Sequence, residues 1–195
     1  MTIRKDTHFH LHIKFNISSY GRARTDNFFI IFVDETSNTA IMYTYTTAGL
    51  GGMPWQERYI LSLDNHVELL EALSEFCQKK NITAGAVSGI GAVSEATFRF
   101  LDPATRQYVD KTFAEQMEIT HISGNISTKD RKPYLHIHLT CSRRDYSCVG
   151  GHLLSARING ACELVVERFP LARADRRADP ETGLNLYHFP RGKRG

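Results

Sequence analysis

The sequence predicts an α+β domain built on a largely antiparallel sheet with one main helix. Three observations carry that reading. Period-2 alternation recurs along most of the chain, one segment alone shows clear helical periodicity, and turn residues separate the strands at short intervals. Many strands with one helix, and no repeating β-α order, are the pattern of an antiparallel rather than a doubly wound sheet.

The N-terminal stretch HFHLHIKFNI (8–17) alternates without fault, with Phe9, Leu11, Ile13, Phe15 and Ile17 on one face and His8, His10, His12, Lys14 and Asn16 on the other. FFIIFV (28–33) and AIMYTYTT (40–47) read as two further strands around the turn-rich DETSN (34–38). TAGLGGMP (47–54) interrupts the pattern and marks a boundary. RYILSL (58–63) is then a strand. Asn65 with Glu68 three residues later looks like a capping box, and Val67, Leu69, Leu70, Leu73, Phe76 and Cys77 recur at helical spacing. Lys79 and Lys80 suit the negative end of the helix dipole, so the helix is predicted over 66–80.

Beyond the helix, ITAGAVSGIGAV (82–93) is read as a buried strand running into a glycine turn. ATFRFLD (96–102) and QYVDKTF (107–113) form a hairpin across DPAT, and MEITHISGNIS (117–127) is a strand ending at Gly124. YLHIHLT (134–140), GGHLLSARI (150–158) and ACELVVERF (161–169) complete the set. The expected organisation is a strand-rich extension over 1–52, a domain over 53–170 and a basic tail over 171–195. An alternative start of translation at Met53 would remove the extension.

Composition narrows the function classes. The chain has 195 residues, of which 42% are hydrophobic and 23% charged, which excludes a disordered or collagen-like polymer. The longest apolar run, Phe28 to Val33, falls far short of the roughly 20 residues a membrane-spanning helix needs. Four cysteines with no CxxC spacing point to reduced thiols and a cytoplasmic protein. Net charge is only +3, and the last 25 residues hold six basic against three acidic groups, so the tail is the one clearly basic segment.

His136 and His138 are the sharpest chemical feature. Residues i and i+2 of a strand share a face, with Cα atoms about 7 Å apart, so two imidazoles can converge on one cation while Leu135, Ile137 and Leu139 face the core. His152, after Gly150 and Gly151, is the natural third ligand, and three histidines with an open position suit a divalent metal, zinc above all. The competing reading is a solvated polar strand face. His8, His10 and His12 also share a face, but His8 and His12 lie about 13 Å apart, too far for one ion to take all three. SGIGAVS (88–94) lacks the third glycine and the helix of a dinucleotide fingerprint. Cys141 and Cys148 read as idle thiols, Arg143, Arg144 and Asp145 as a solvated turn, and Glu118 and Glu163 as surface acids. No catalytic residue is specified by spacing.

Residues 53–170 resemble the plants-and-prokaryotes-conserved (PPC) domain through SGIGAVSEATFRF (88–100), MEITHISGNIS (117–127), YLHIHLT (134–140), GGHLLSARI (150–158) and CELVVE (162–167), in that family's order. RRADPETGLNLY (176–187) is similar to the extension that follows the domain in bacterial members. The resemblance implies a homotrimer, with His136, His138 and His152 binding zinc. It also implies a DNA-binding, regulatory role, since plant members join this domain to AT-hooks, whose Pro-Arg-Gly-Arg-Pro core lies in the minor groove. Here PRGKRG (190–195) keeps Pro190, Arg191 and Gly192 and then carries Lys193 and Arg194, so Arg191, Lys193 and Arg194 are the expected DNA contacts; GRAR (21–24) matches less well. The PPC fold is also similar to that of alpha-acetolactate decarboxylase, which holds zinc with a comparable histidine pattern. The alternative function is therefore a metal-dependent lyase or hydrolase using the same three histidines.

Overall fold

Leu69, Leu73, Phe76 and Cys77 form one buried stripe on a helix, and long alternating strands supply the surface that covers it. The computed structural model describes residues 9–14, 27–34, 39–46, 56–169 and 173–189, the first three segments as backbone. In chain order the elements are β1 (Phe9–Lys14), β2 (Asn27–Asp34), β3 (Thr39–Thr46), β4 (Gln56–Leu63), α1 (Leu69–Lys79), β5 (Gly85–Leu101), β6 (Tyr108–Phe113), β7 (Met117–Lys129), β8 (Lys132–Ser142), β9 (Cys148–Arg168), β10 (Arg176–Ala178) and β11 (Asn185–Tyr187).

The first nine strands form one sheet in the order β1-β2-β3-β4-β9-β8-β7-β5-β6, with β5 also paired to β9, and every ladder is antiparallel. The pairings β5–β7, β7–β8, β8–β9 and β9–β5 therefore close a circuit of long strands. Val87, Val93, Ile122, Ile126, Ile137, Leu139, Ile158 and Leu164 from these strands fill the core, and Tyr59 of β4 meets Phe76 of α1 edge-on at 5.2 Å. Burying a side chain such as Leu73 contributes roughly 1.5–3 kcal/mol.

Four expectations are corrected. The helix starts at Leu69, not residue 66, because Glu68 is its cap: its backbone is extended and one carboxylate oxygen accepts the Glu71 N–H at 2.7 Å. Asn65 instead accepts the Gly160 N–H, and residues 66 and 67 are tied to Ile158 by two backbone hydrogen bonds. The predicted glycine turn near 88–94 is absent, and β5 runs through it unbroken. Gly89 and Gly91 serve close approach instead: a Cβ on either would fall within 2.5 Å of a β9 carbonyl oxygen, and register shifts occur alongside. The same economy makes 150–158 and 161–169 one strand, β9, bent at Gly160, while β7 continues past Gly124 to Lys129.

The tail is also partly structured. β10 and β11 form a hairpin docked on β7 through the Thr128–Asp175 bridge and the bond from Thr128 N–H to the Ala174 carbonyl. Residues 190–195, including Arg191, Lys193 and Arg194, lie outside the described residues, as does His8. His10 and His12 lie on β1, opposite Val33 and Ile31 of β2. Among the described residues no helix is long and apolar enough to cross a membrane.

Candidate metal centre

Strand alternation buries Ile137, Leu139 and Cys141 and turns Tyr134, His136 and His138 to the other face of β8. Register then brings the third histidine in. His138 stands directly opposite His152 in the β8–β9 ladder, and β9 can lie this close because Gly150 carries no side chain. A Cβ there would sit 2.4 Å from the Leu139 carbonyl oxygen. The ring centroids are 5.3 Å apart for His136–His138, 5.0 Å for His136–His152 and 5.5 Å for His138–His152. One ligand nitrogen from each lies within 4.8 Å of the other two.

This donor set fits a divalent ion. A tetrahedral ion with bonds of 2.0–2.1 Å needs nitrogens about 3.3 Å apart, within reach of small ring rotations. Neutral imidazole is the ligating form, and the site favours it. Burial, then the His152, Arg176 and His138 charges, push His136 down to about 4. His152 is lowered by burial, His138 and Arg99. His138 remains exposed, leaving one side of the cluster open.

The surroundings were not evident in the sequence. Asn125 of β7 is directly opposite His136, Ser123 opposite His138, and Arg99 of β5 opposite His152. Arg99 is engaged bidentately by Asp110 at 2.8 and 2.7 Å. Arg176, the first residue of β10, lies buried over the same face of the sheet. Its Nε donates to Ser127 Oγ at 2.7 Å, one terminal nitrogen to the Asn185 carbonyl at 2.7 Å, and the other to Asn125 Oδ1. Its guanidinium carbon stands 4.0 Å from the Tyr187 ring and 5.1 Å from the Tyr134 ring. Tyr134, two residues before His136, was the one signal for this shell in the strand pattern; Arg176 comes from 40 residues further along the chain. The tip of the tail hairpin, Pro180 to Gly183, lines a cleft of about 190 Å³ with Leu101, Arg106 and Tyr108.

The remaining sequence candidates separate from this centre. Cys77, Cys141 and Cys162 are buried free thiols with pKa raised to about 12 by burial, and Cys148 is exposed and unbridged. Arg143, Arg144 and Asp145 form a solvent-facing turn as expected, with Arg143 paired to Glu115 at 2.9 Å. Glu118 and Glu163 are exposed strand acids, as expected.

Known proteins bear on this arrangement. The model of the Plants and Prokaryotes Conserved (PCC) domain matches residues 53–170. A candidate DNA-binding protein from Bacteroides thetaiotaomicron is 48% identical, with 76% of this chain and 99% of that one covered and a TM-score of 0.67. A second candidate DNA-binding protein, from Ralstonia eutropha, is 32% identical over 75% of this chain and 96% of that one, with a TM-score of 0.63. A metal-containing protein from Archaeoglobus fulgidus is 38% identical over 68% of this chain and 93% of that one, with a TM-score of 0.64. Likeness to an alpha-acetolactate decarboxylase-like protein from Staphylococcus aureus stops at 12% identity and a TM-score of 0.41, which supports no catalytic reading. Among curated proteins none matches. With the domain model matched over more than half of this chain and the B. thetaiotaomicron protein nearly half identical, the chain belongs to the Plants and Prokaryotes Conserved domain family.

Proposed function

We propose that the chain is a metal-binding protein that holds one divalent ion, zinc, per subunit through His136, His138 and His152, and serves a DNA-binding, regulatory role. The observation that carries the metal assignment is the convergence of the three ligand nitrogens within 4.8 Å. Three neutral nitrogen donors and no carboxylate suit zinc better than magnesium or calcium. The metal-containing Archaeoglobus relative supports the same reading. The two candidate DNA-binding relatives support the regulatory role, with Arg191, Lys193 and Arg194 as the phosphate-contacting groups. A homotrimer in the cytoplasm completes the proposal. Ile60 and its cross-strand neighbour Val165, both exposed on the outer sheet face together with Ile90, supply apolar surface for self-association.

A metal-dependent lyase or hydrolase is the second reading, favoured by the exposed side of the cluster at His138. A bound divalent ion would there act as a Lewis acid on a ligand oxygen. Elemental analysis of untagged protein, purified without a metal-affinity column, tests the shared premise. About one equivalent of zinc per subunit is expected, and a metal-free trimer would overturn it.

A further inference from the structure

We propose that Arg176 and the histidine cluster together form a binding site for a small oxyanion, a carboxylate or phosphate group held by the guanidinium on one side and by the metal on the other. The inference deepens the metal reading and rests on it for the second contact. The first contact stands on the fold alone.

Arg176 is the one charged side chain buried among the described residues, at 7% exposure. Buried charges are normally paired, because an uncompensated ion loses its hydration with nothing in return. Among the described residues Arg176 has no carboxylate partner. All three of its hydrogen bonds go to neutral oxygens, and its two ring contacts are to tyrosines. A guanidinium has five N–H donors, so two remain. The nearby acids are committed elsewhere: Asp175 to Arg173 at 2.8 Å, Asp179 to the Thr182 turn, and Asp110 to Arg99.

Register fixes where this unpaired cation lies. Its partners Asn125 and Ser127 are the residues directly opposite His136 and Tyr134. Cross-strand partners have Cβ atoms about 4.5–5.5 Å apart, so the guanidinium shares the face, and the neighbourhood, of the histidines. A divalent ion on three neutral imidazoles, beside the Arg176 guanidinium, would leave this region strongly positive, whereas the Arg99 charge opposite His152 is already matched by Asp110. An anionic ligand neutralises that charge, and the planar fork of Arg176 matches an oxyanion. Tyr187 over the guanidinium makes the tail hairpin one wall of the site.

The test is calorimetric titration of malonate and of inorganic phosphate into the full chain, zinc-loaded and metal-free, with chloride at matched ionic strength as the control. Zinc-loaded wild type is expected to bind one oxyanion per subunit, malonate tighter if the ligand is a carboxylate and phosphate tighter if it is a phosphate. Arg176→Lys keeps the charge without the fork and should weaken binding by about tenfold, and Arg176→Met by roughly ten- to a hundredfold. No oxyanion binding by wild type, or undiminished binding by a folded Arg176→Met, overturns the site. Should Arg176→Met fail to fold, the thermal shift of wild type by malonate or phosphate over chloride decides instead, its absence being fatal. Zinc content is measured separately. A wild type without zinc sinks the metal reading, and oxyanion binding to that metal-free protein then decides Arg176 by itself.

Discussion

His138 and His152 stand directly opposite each other on antiparallel strands β8 and β9, their rings 5.5 Å apart and nearly perpendicular. His136 joins them from two residues away on β8. The centre is thus made by one strand's alternation and one ladder's register.

Each ligand should therefore matter and the other histidines should not. His136→Ala, His138→Ala and His152→Ala are each expected to abolish tight zinc binding, read by elemental analysis after dialysis. His10→Ala should leave it unchanged. Zinc lost with His10 and retained in the other three would place the site elsewhere.

Gly150 controls the ladder. A Cβ there meets the Leu139 carbonyl oxygen at 2.4 Å and Thr140 Cα at 3.0 Å, both backbone atoms that cannot step aside. Gly150→Ala should push β9 from β8, lower stability by about 1–3 kcal/mol and weaken zinc binding with it. Denaturant unfolding of the metal-free variant measures the first effect, and a competition titration with a zinc chelator the second. Unchanged zinc affinity would show that the spacing of these strands does not set the site.

Acid should destabilise the metal-free protein. His136, pushed down to about 4, binds fewer protons when folded than when unfolded, where its pKa is near 6.5, and His152 is shifted the same way. Stability is then fully present above about pH 6.5 and falls as the pH drops from there toward 4. Urea midpoints at pH 7 and pH 5 check the direction, and His136→Gln should flatten the slope. A midpoint that rises on acidification would contradict it.

DNA binding, if carried by the tail, must be salt-dependent. Replacing Arg191, Lys193 and Arg194 with neutral residues should reduce the slope of log affinity against log salt by about 2.7. Fluorescence anisotropy on an A·T-rich duplex between low and physiological salt reads it. An unchanged slope would move the phosphate contacts onto the folded domain.

Local pattern was enough for much of this. The HxH pair on a strand, the helix stripe through Leu69, Leu73 and Phe76, and the β5–β6 hairpin are all short-range features, set by side-chain period and turn chemistry. The misread glycines share one cause. Gly89, Gly91, Gly124 and Gly160 signalled breaks in isolation, whereas in the sheet they lie within long strands, three of them where a neighbouring backbone passes too close for a side chain. Asn65 resembled a cap, but β9 claims it through Gly160, which leaves capping to Glu68.

The sequence by itself determined the α+β class and the strand face that carries His136 and His138, because alternation along one strand needs no knowledge of its neighbours; His152 was expected as the third ligand, but its place opposite His138 is a matter of register. Tertiary structure alone decided the closed strand circuit, the approach of β9 at Gly150, and the burial of Arg176 against Asn125 and Ser127. Those depend on register between segments distant in the chain, and register is fixed only when the buried faces of several strands meet in one core.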